Sequence, residues 1–145
     1  MFNNNRNNCN IIDMGKKPYI VNIRDLAGCN NAFRVALWTG DSLQTTLMSI
    51  NPGDDIGTEM HPAVDQYIMV SNGRAKVFFG DGKARLRFVG DVESNNAIFI
   101  PAGTWHNIVN SGGRPLKLIS VYAPPNHPYG TYQPTKIEER KPDTK

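Results

Sequence analysis

The stretch AIFIPAGTWHNIVNSGGRPLKLISVY, residues 97–122, decides how this chain reads. It holds three short apolar-rich runs, AIFIP, HNIVN and LKLISVY, separated by a Pro-x-Gly turn at 101–103 and by SGGRP at 111–115. β-Branched and aromatic residues bounded by turn residues read as strands. The pattern continues upstream, where TGD (39–41), NPGDD (51–55), SNG (71–73), GDGK (80–83) and SNN (94–96) punctuate the runs LQTTLMSI, QYIMV, AKVFF and RLRFVG. One short helical turn is predicted around IRDLAG (23–28). No internal repeat of roughly 20 to 50 residues is visible, which excludes propellers and solenoids. The fold class is all-β, a small barrel or two-sheet jelly roll.

A chain of 145 residues fits one domain with one core. Its sections read as an Asn-rich flexible tail (1–10), N-terminal strands or arm (11–39), the β-barrel (40–125), and a C-terminal tail partly covering the barrel (126–145). No apolar run approaches the roughly 18 residues of a membrane span, and MFNNNRNNCNIIDMG lacks the features of a signal peptide. A cytoplasmic location is expected. Cys9 and Cys29 have no CxxC spacing and are expected to be free thiols in a reducing compartment. The net charge of +3 is spread among acids, as in KIEERKPDTK (136–145), and forms no basic stripe, so nucleic acid is not an expected partner.

The chemistry rests on few residues, since the chain has only three histidines. In GTEMHPAVDQY (57–67), strand alternation puts Glu59 and His61 on one side. Pro62 interrupts central pairing, so the next strand begins near Gln66. His106 follows the Pro-x-Gly turn on a third strand. Ligands from three adjacent strands meeting inside a narrow barrel would form a mononuclear metal site. The competing reading of His61 alone is a hydrogen-bonded polar residue at a strand end.

The spacing in PAGTWHNIVN then resembles the second motif of the cupins: Pro101, Gly103, His106 and Asn110 stand at the family positions, and Asn95 replaces the leading glycine. Asparagine is the residue after glycine that best tolerates a left-handed turn. The first cupin motif is looser. Gly73 closes it, Gln66 stands where the family has Glu, His61 matches the second histidine and Glu59 takes the place of the first. The leading glycine reads as unmatched, with Gly53 the nearest candidate. Asp65 competes with Gln66, but the count from Gly73 favours Gln66, so Gln66, Ile68 and Val70 should face inward and Asp65 and Tyr67 outward.

The resemblance spans about residues 40–125 and implies a single-domain cupin jelly-roll barrel, a double-stranded β-helix, holding one divalent metal on Glu59, His61, Gln66 and His106. The carboxylate has moved across the site, but the formal ligand charge stays at minus one. Zinc, iron, manganese, nickel or cobalt suits two imidazoles and two oxygens. The ending YAPPNHPYGTYQPTK resembles small cupins of the mannose-6-phosphate isomerase-like type. The implied function is a metal-dependent enzyme acting on a small polar molecule such as a sugar or sugar phosphate by isomerase-type proton transfer. The alternatives are an Fe(II)-dependent dioxygenase and a non-catalytic carbohydrate-binding or structural module.

Around the site, Tyr122 and His127 are candidates for a second layer, with His127 either on the surface or on a lid over the barrel mouth. Trp105 should face away from the cavity and Asn110 should serve the turn. Arg85 and Arg87 read as a solvated face. A homodimer is expected, because a jelly roll leaves edge strands to cover and PYIVNI (18–23) is suited to pair with one.

Overall fold

The computed structural model describes residues 9–136, and the complete elements among these described residues are one helix, α1 (Ile23–Cys29), and nine strands. These are β1 (Arg34–Thr39), β2 (Gln44–Ile50), β3 (Asp65–Asn72), β4 (Arg74–Gly80), β5 (Arg87–Glu93), β6 (Ala97–Ile100), β7 (Trp105–Asn110), β8 (Leu116–Ala123) and β9 (Tyr132–Gln133). They form a six-stranded sheet in the order β6-β3-β8-β2-β1-β9 and a three-stranded sheet in the order β5-β4-β7, with antiparallel pairing throughout. Between β3 and β8 every connection except β4–β5 carries the chain from one sheet to the other. That winding is the jelly roll.

The turn residues do this work at two crossings. Gly73 takes φ 102° between β3 and β4, and a Cβ there would lie 3.1 Å from Leu116 Cα, so both the backbone angle and the close approach require glycine. Asn95 has φ 75° between β5 and β6, as its place in the second motif suggested.

The strands alternate between two apolar layers. Met48, Ile50, Ile68, Val70, Ile98, Ile100, Leu116 and Leu118 from the large sheet meet Ala75, Val77 and Ile108 from the small one. On the other face of the large sheet, Val35, Leu37, Leu47 and Ile119 pack with Ala27 and Ala32. A seven-residue helix is unstable alone. Here Asn22 caps α1 by accepting the Asp25 amide at 3.1 Å, and Ile23, Leu26 and Ala27 seat it on this second layer.

Four sequence expectations need correction. Cys9 and Cys29 are not free thiols: they are joined as a disulfide, because the chain before α1 returns to the helix end with the two Cα atoms 5.7 Å apart. The PYIVNI segment forms no strand; it leads irregularly into the α1 cap, and Ile20 is 99% exposed. The large sheet also takes in β1, from the segment read as N-terminal strands or arm, and β9, from the segment read as C-terminal tail. Gly53 has φ 80°, and five residues lie between it and Glu59, the spacing of the leading glycine in the first motif, so that position is matched after all. Residues 1–8 of the Asn-rich tail and 137–145 of the C-terminal tail lie outside the described residues. Among the described residues no helix is long and apolar enough to cross a membrane.

Candidate metal centre

Glu59 and His61 do not lie on a regular strand. Residues 54–59 run as an irregular ribbon along β7, held by Ile56 N to Ile108 O at 3.0 Å and by reciprocal bonds between Glu59 and His106 at 3.0 and 2.9 Å. Gly57, at φ 91°, kinks the ribbon, and Pro62 prevents it from continuing as a paired strand. The expectation of three regular strands therefore becomes one ribbon, β7 and β3. Glu59 and His106 are direct cross-strand partners, and the Gly103 amide donates to His61 O at 2.8 Å, drawing His61 back over the site.

The side chains converge. Glu59 Oε1 lies 3.2 Å from His61 Nε2 and 3.8 Å from His106 Nε2, and one ligand atom from each of the three residues lies within 4.8 Å of the others. His106 is fully buried and its Nδ1 lies 2.9 Å from Thr104 O. A carbonyl only accepts, so Nδ1 carries the proton. Burial pushes the His106 pKa down, so the ring is neutral and Nε2 presents a lone pair. That atom is buried and has no hydrogen-bond partner. For Glu59, burial acts to raise the carboxyl pKa, but the hydrogen bond from His61 and the charge of Arg34 outweigh it and hold the group below the usual range.

Gln66 lies on β3 in the facing sheet, and the alternation is as expected: Gln66, Ile68 and Val70 are buried and Asp65 is exposed. Gln66 Nε2 donates to Ser120 Oγ at 2.9 Å, while its Oε1 is buried without a partner. Asp65 Oδ1 accepts the Ala102 amide at 2.9 Å. The carboxylate and two imidazoles that converge, Glu59, His61 and His106, are donors that a divalent transition metal suits.

Tyr122 is fully buried, and burial raises its pKa, so it remains a phenol. Its ring meets the edge of His61 at 5.9 Å and that of His127 at 5.1 Å, and its Oη lies 3.3 Å from His127 Nε2. His127 is half-buried against Tyr122, and buried Gln44 accepts its amide at 2.9 Å and donates to its carbonyl at 2.8 Å. Burial, aided by Arg34, pushes the His127 pKa down to about 3. Asn110 serves the turn, bonding the carbonyls of Ile50 and Arg114 and the Gly112 amide. Trp105 is half-buried on the opposite face of β7 from His106. Arg85 pairs with Asp81 in solvent.

Sequence reasoning missed Arg34. It is 1% exposed, its Nη2 lies 3.6 Å from Glu59 Oε2, and its Nη1 donates to Gln133 Oε1 at 2.7 Å. The available signal was an arginine opening the otherwise apolar run RVALW, on the inward parity of Ala36.

A family model described as Cupin domain matches residues 46–122. The crystal structure of BH2720 from Bacillus halodurans is similar at a TM-score of 0.86 with 54% identity, covering 88% of this chain and 96% of that one. The uncharacterized protein YrkC of Bacillus subtilis (strain 168) is 52% identical over 126 residues, 87% of this chain and 68% of its own length. A shorter likeness, 34% over 82 residues, links the chain to the mannose-1-phosphate guanylyltransferase of Escherichia coli (strain K12), of which it covers 16%. The matched region holds Glu59, His61, Gln66 and His106 and covers more than half of the sequence, and the chain belongs to the cupin family.

Proposed function

We propose that Glu59, His61, Gln66 and His106 hold one divalent metal ion, and that the protein is an enzyme of the mannose-6-phosphate isomerase-like type, moving a proton on a sugar or sugar phosphate. The observation that carries the metal reading is the buried, unpartnered Nε2 of His106 beside Glu59 and His61, because a buried lone pair without a partner is costly unless something binds it. When bound, the ion supplies Lewis-acid polarisation of a carbonyl or hydroxyl. The chain's own residues supply the rest. Tyr122 keeps its phenolic proton 3.3 Å from the neutral imidazole of His127, so it serves as a hydrogen-bond donor and not as a base. Asn126 and His127, whose amides both donate to Gln44 Oε1, would cover the barrel mouth and limit water. The sugar class is supported by the partial likeness to a mannose-1-phosphate enzyme.

The test is solvent proton exchange. Metal-loaded protein incubated in deuterium oxide with aldoses, ketoses and their phosphates is expected to introduce deuterium into one of them, read by NMR. Binding without exchange would replace this reading with a non-catalytic module, and oxygen consumption with Fe(II) would replace it with a dioxygenase.

A homodimer belongs to the same proposal. β6 is an edge strand, and Phe99 on it is 71% exposed and stacked on Tyr67 at 5.0 Å, a surface that a partner sheet would cover. Light scattering should give twice the chain mass of 16.1 kDa; a monomer at high concentration would remove the dimer.

A further inference from the structure

The ribbon that carries Glu59 is joined to β7 by few backbone bonds. The Asn110 amide donates to Asp54 O at 2.9 Å and the Ile56 amide to Ile108 O at 3.0 Å; the kink at Gly57 separates these from the pair between Glu59 and His106. The Asp55 carboxylate spans that kink. Its Oδ1 accepts the Gly57 amide at 3.1 Å and its Oδ2 accepts Asn107 Nδ2 at 3.0 Å. Asn107 is buried and follows His106 directly on β7, so one side chain fixes the ribbon before Glu59 and grips the strand that carries His106. A second brace comes from beyond β9. Pro134 O accepts the Phe33 amide at 3.2 Å, and Lys136 Nζ then donates to Asp55 Oδ1 and, at 2.9 Å, to Asp54 Oδ1. The Lys136 side chain is only 10% exposed, and without its ammonium the carboxylates of Asp54 and Asp55 would repel at the start of the ribbon.

We infer that Asp55 is a positioning residue of the metal centre, holding Glu59 and His61 in register with His106, and that Lys136 couples the chain after β9 to the centre through Asp55. This rests on the metal reading above and adds to it two residues that supply no ligand, since neither belongs to the converging donors. Residues of that kind matter for metal binding: partners that only orient the ligands contribute about 10- to 100-fold in affinity. The sign of the Lys136 effect sets this coupling apart from simple electrostatics. Through space, removing a positive charge favours a divalent cation. Through the brace, removing it loosens the ribbon, lets Glu59 and His61 drift from His106, and weakens binding.

The experiment is zinc titration of the full chain against a competing chelator. Asp55→Ala is expected to weaken zinc binding about tenfold and Lys136→Met about fivefold, while Lys136→Arg, which keeps the cation, retains the wild-type affinity. Lys136→Met that binds zinc as tightly as wild type, or more tightly, would overturn the inference. Asp13→Ala separates positioning from general destabilisation. It lies outside the ribbon, so it should lose stability and keep its zinc affinity; a loss there equal to that of Asp55→Ala would also overturn the inference. Should Asp55→Ala not fold, the two Lys136 variants decide. Imidazole NMR of the metal-free protein gives a second reading that needs no ion. Lys136→Met should shift the signals of His61 and His106, with His127, held by Gln44 from β2, as the internal reference. Unmoved His61 and His106 signals would overturn the inference. Wild-type protein that takes up no zinc would remove the metal reading alone, and the imidazole signals would then decide the positioning role.

Discussion

Replacing His61 and His106 together with alanine is expected to take the protein from one bound divalent ion per chain to none. The two imidazoles are half of the proposed donor set. Removing even an outer-layer partner of a metal ligand costs about 10- to 100-fold in affinity, so losing two direct ligands exceeds that. The barrel should survive, because its core is the apolar layer between the sheets, and circular dichroism would check this. Asp65→Asn is the contrast. Its carboxylate bonds the Ala102 amide on the outside of β3, so metal affinity should be nearly unchanged. A loss as large as that of Glu59→Ala would mean that Asp65, and not Gln66, faces the site. Full metal retention by the double variant would refute the ligand assignment.

Asp13→Ala is expected to lower stability by about 3 kcal/mol, since hydrogen bonds to a charged group each contribute roughly 1.5–3 kcal/mol and do not simply add. The carboxylate is buried and accepts four bonds: from the amides of Gly15 at 3.0 Å, Thr39 at 2.9 Å and Gly130 at 2.9 Å, and from Thr39 Oγ1 at 2.5 Å. It thereby ties the N-terminal segment, β1 and the chain after β8 together, and Tyr129 Oη adds a bond to Asp13 O. Burial acts to raise the Asp13 pKa, but these bonds outweigh it and hold the group below its ordinary value of 3.8. A depressed carboxylate stabilises the fold fully above the unfolded-state pKa and ceases to do so as pH falls through the folded-state value. The gap between wild type and variant in urea unfolding should therefore be wide at pH 7 and shrink below about pH 4. Equal midpoints at pH 7 would show that the network contributes nothing.

The parts of this molecule that the sequence made legible are those where one local rule dominates. β2, β3 and β4 to β8 lie between turns whose Gly, Pro and Asn residues mark them, and the count back from Gly73 chose Gln66 over Asp65 as the inward residue, which β3 buries. β1 was read only within the N-terminal strands or arm, without bounds, because it is buried on both faces, by the barrel core and by the layer under α1, which erases the alternation that identifies a half-exposed strand. β9 has two residues and no pattern of its own. Arg34 was missed for a related reason. A charge on a buried strand makes sense only once Glu59, twenty-five positions along the chain, is known to face it. The cysteines show the same limit, since 20 residues separate them and only the path of the chain around α1 brings them together. His127 was left between surface and lid because the Gln44 side chain that clamps it comes from β2.

The most direct test of the central claim is a crystal structure of the metal-loaded protein recorded at the absorption edge of the ion. The account predicts a single anomalous peak bonded to Nε2 of His106 and of His61, to a Glu59 carboxylate oxygen and to Gln66 Oε1, with nitrogen distances of about 2.0–2.2 Å for zinc. A barrel that takes up no ion, or a peak that leaves His106 Nε2 and Gln66 Oε1 unbound, would contradict it.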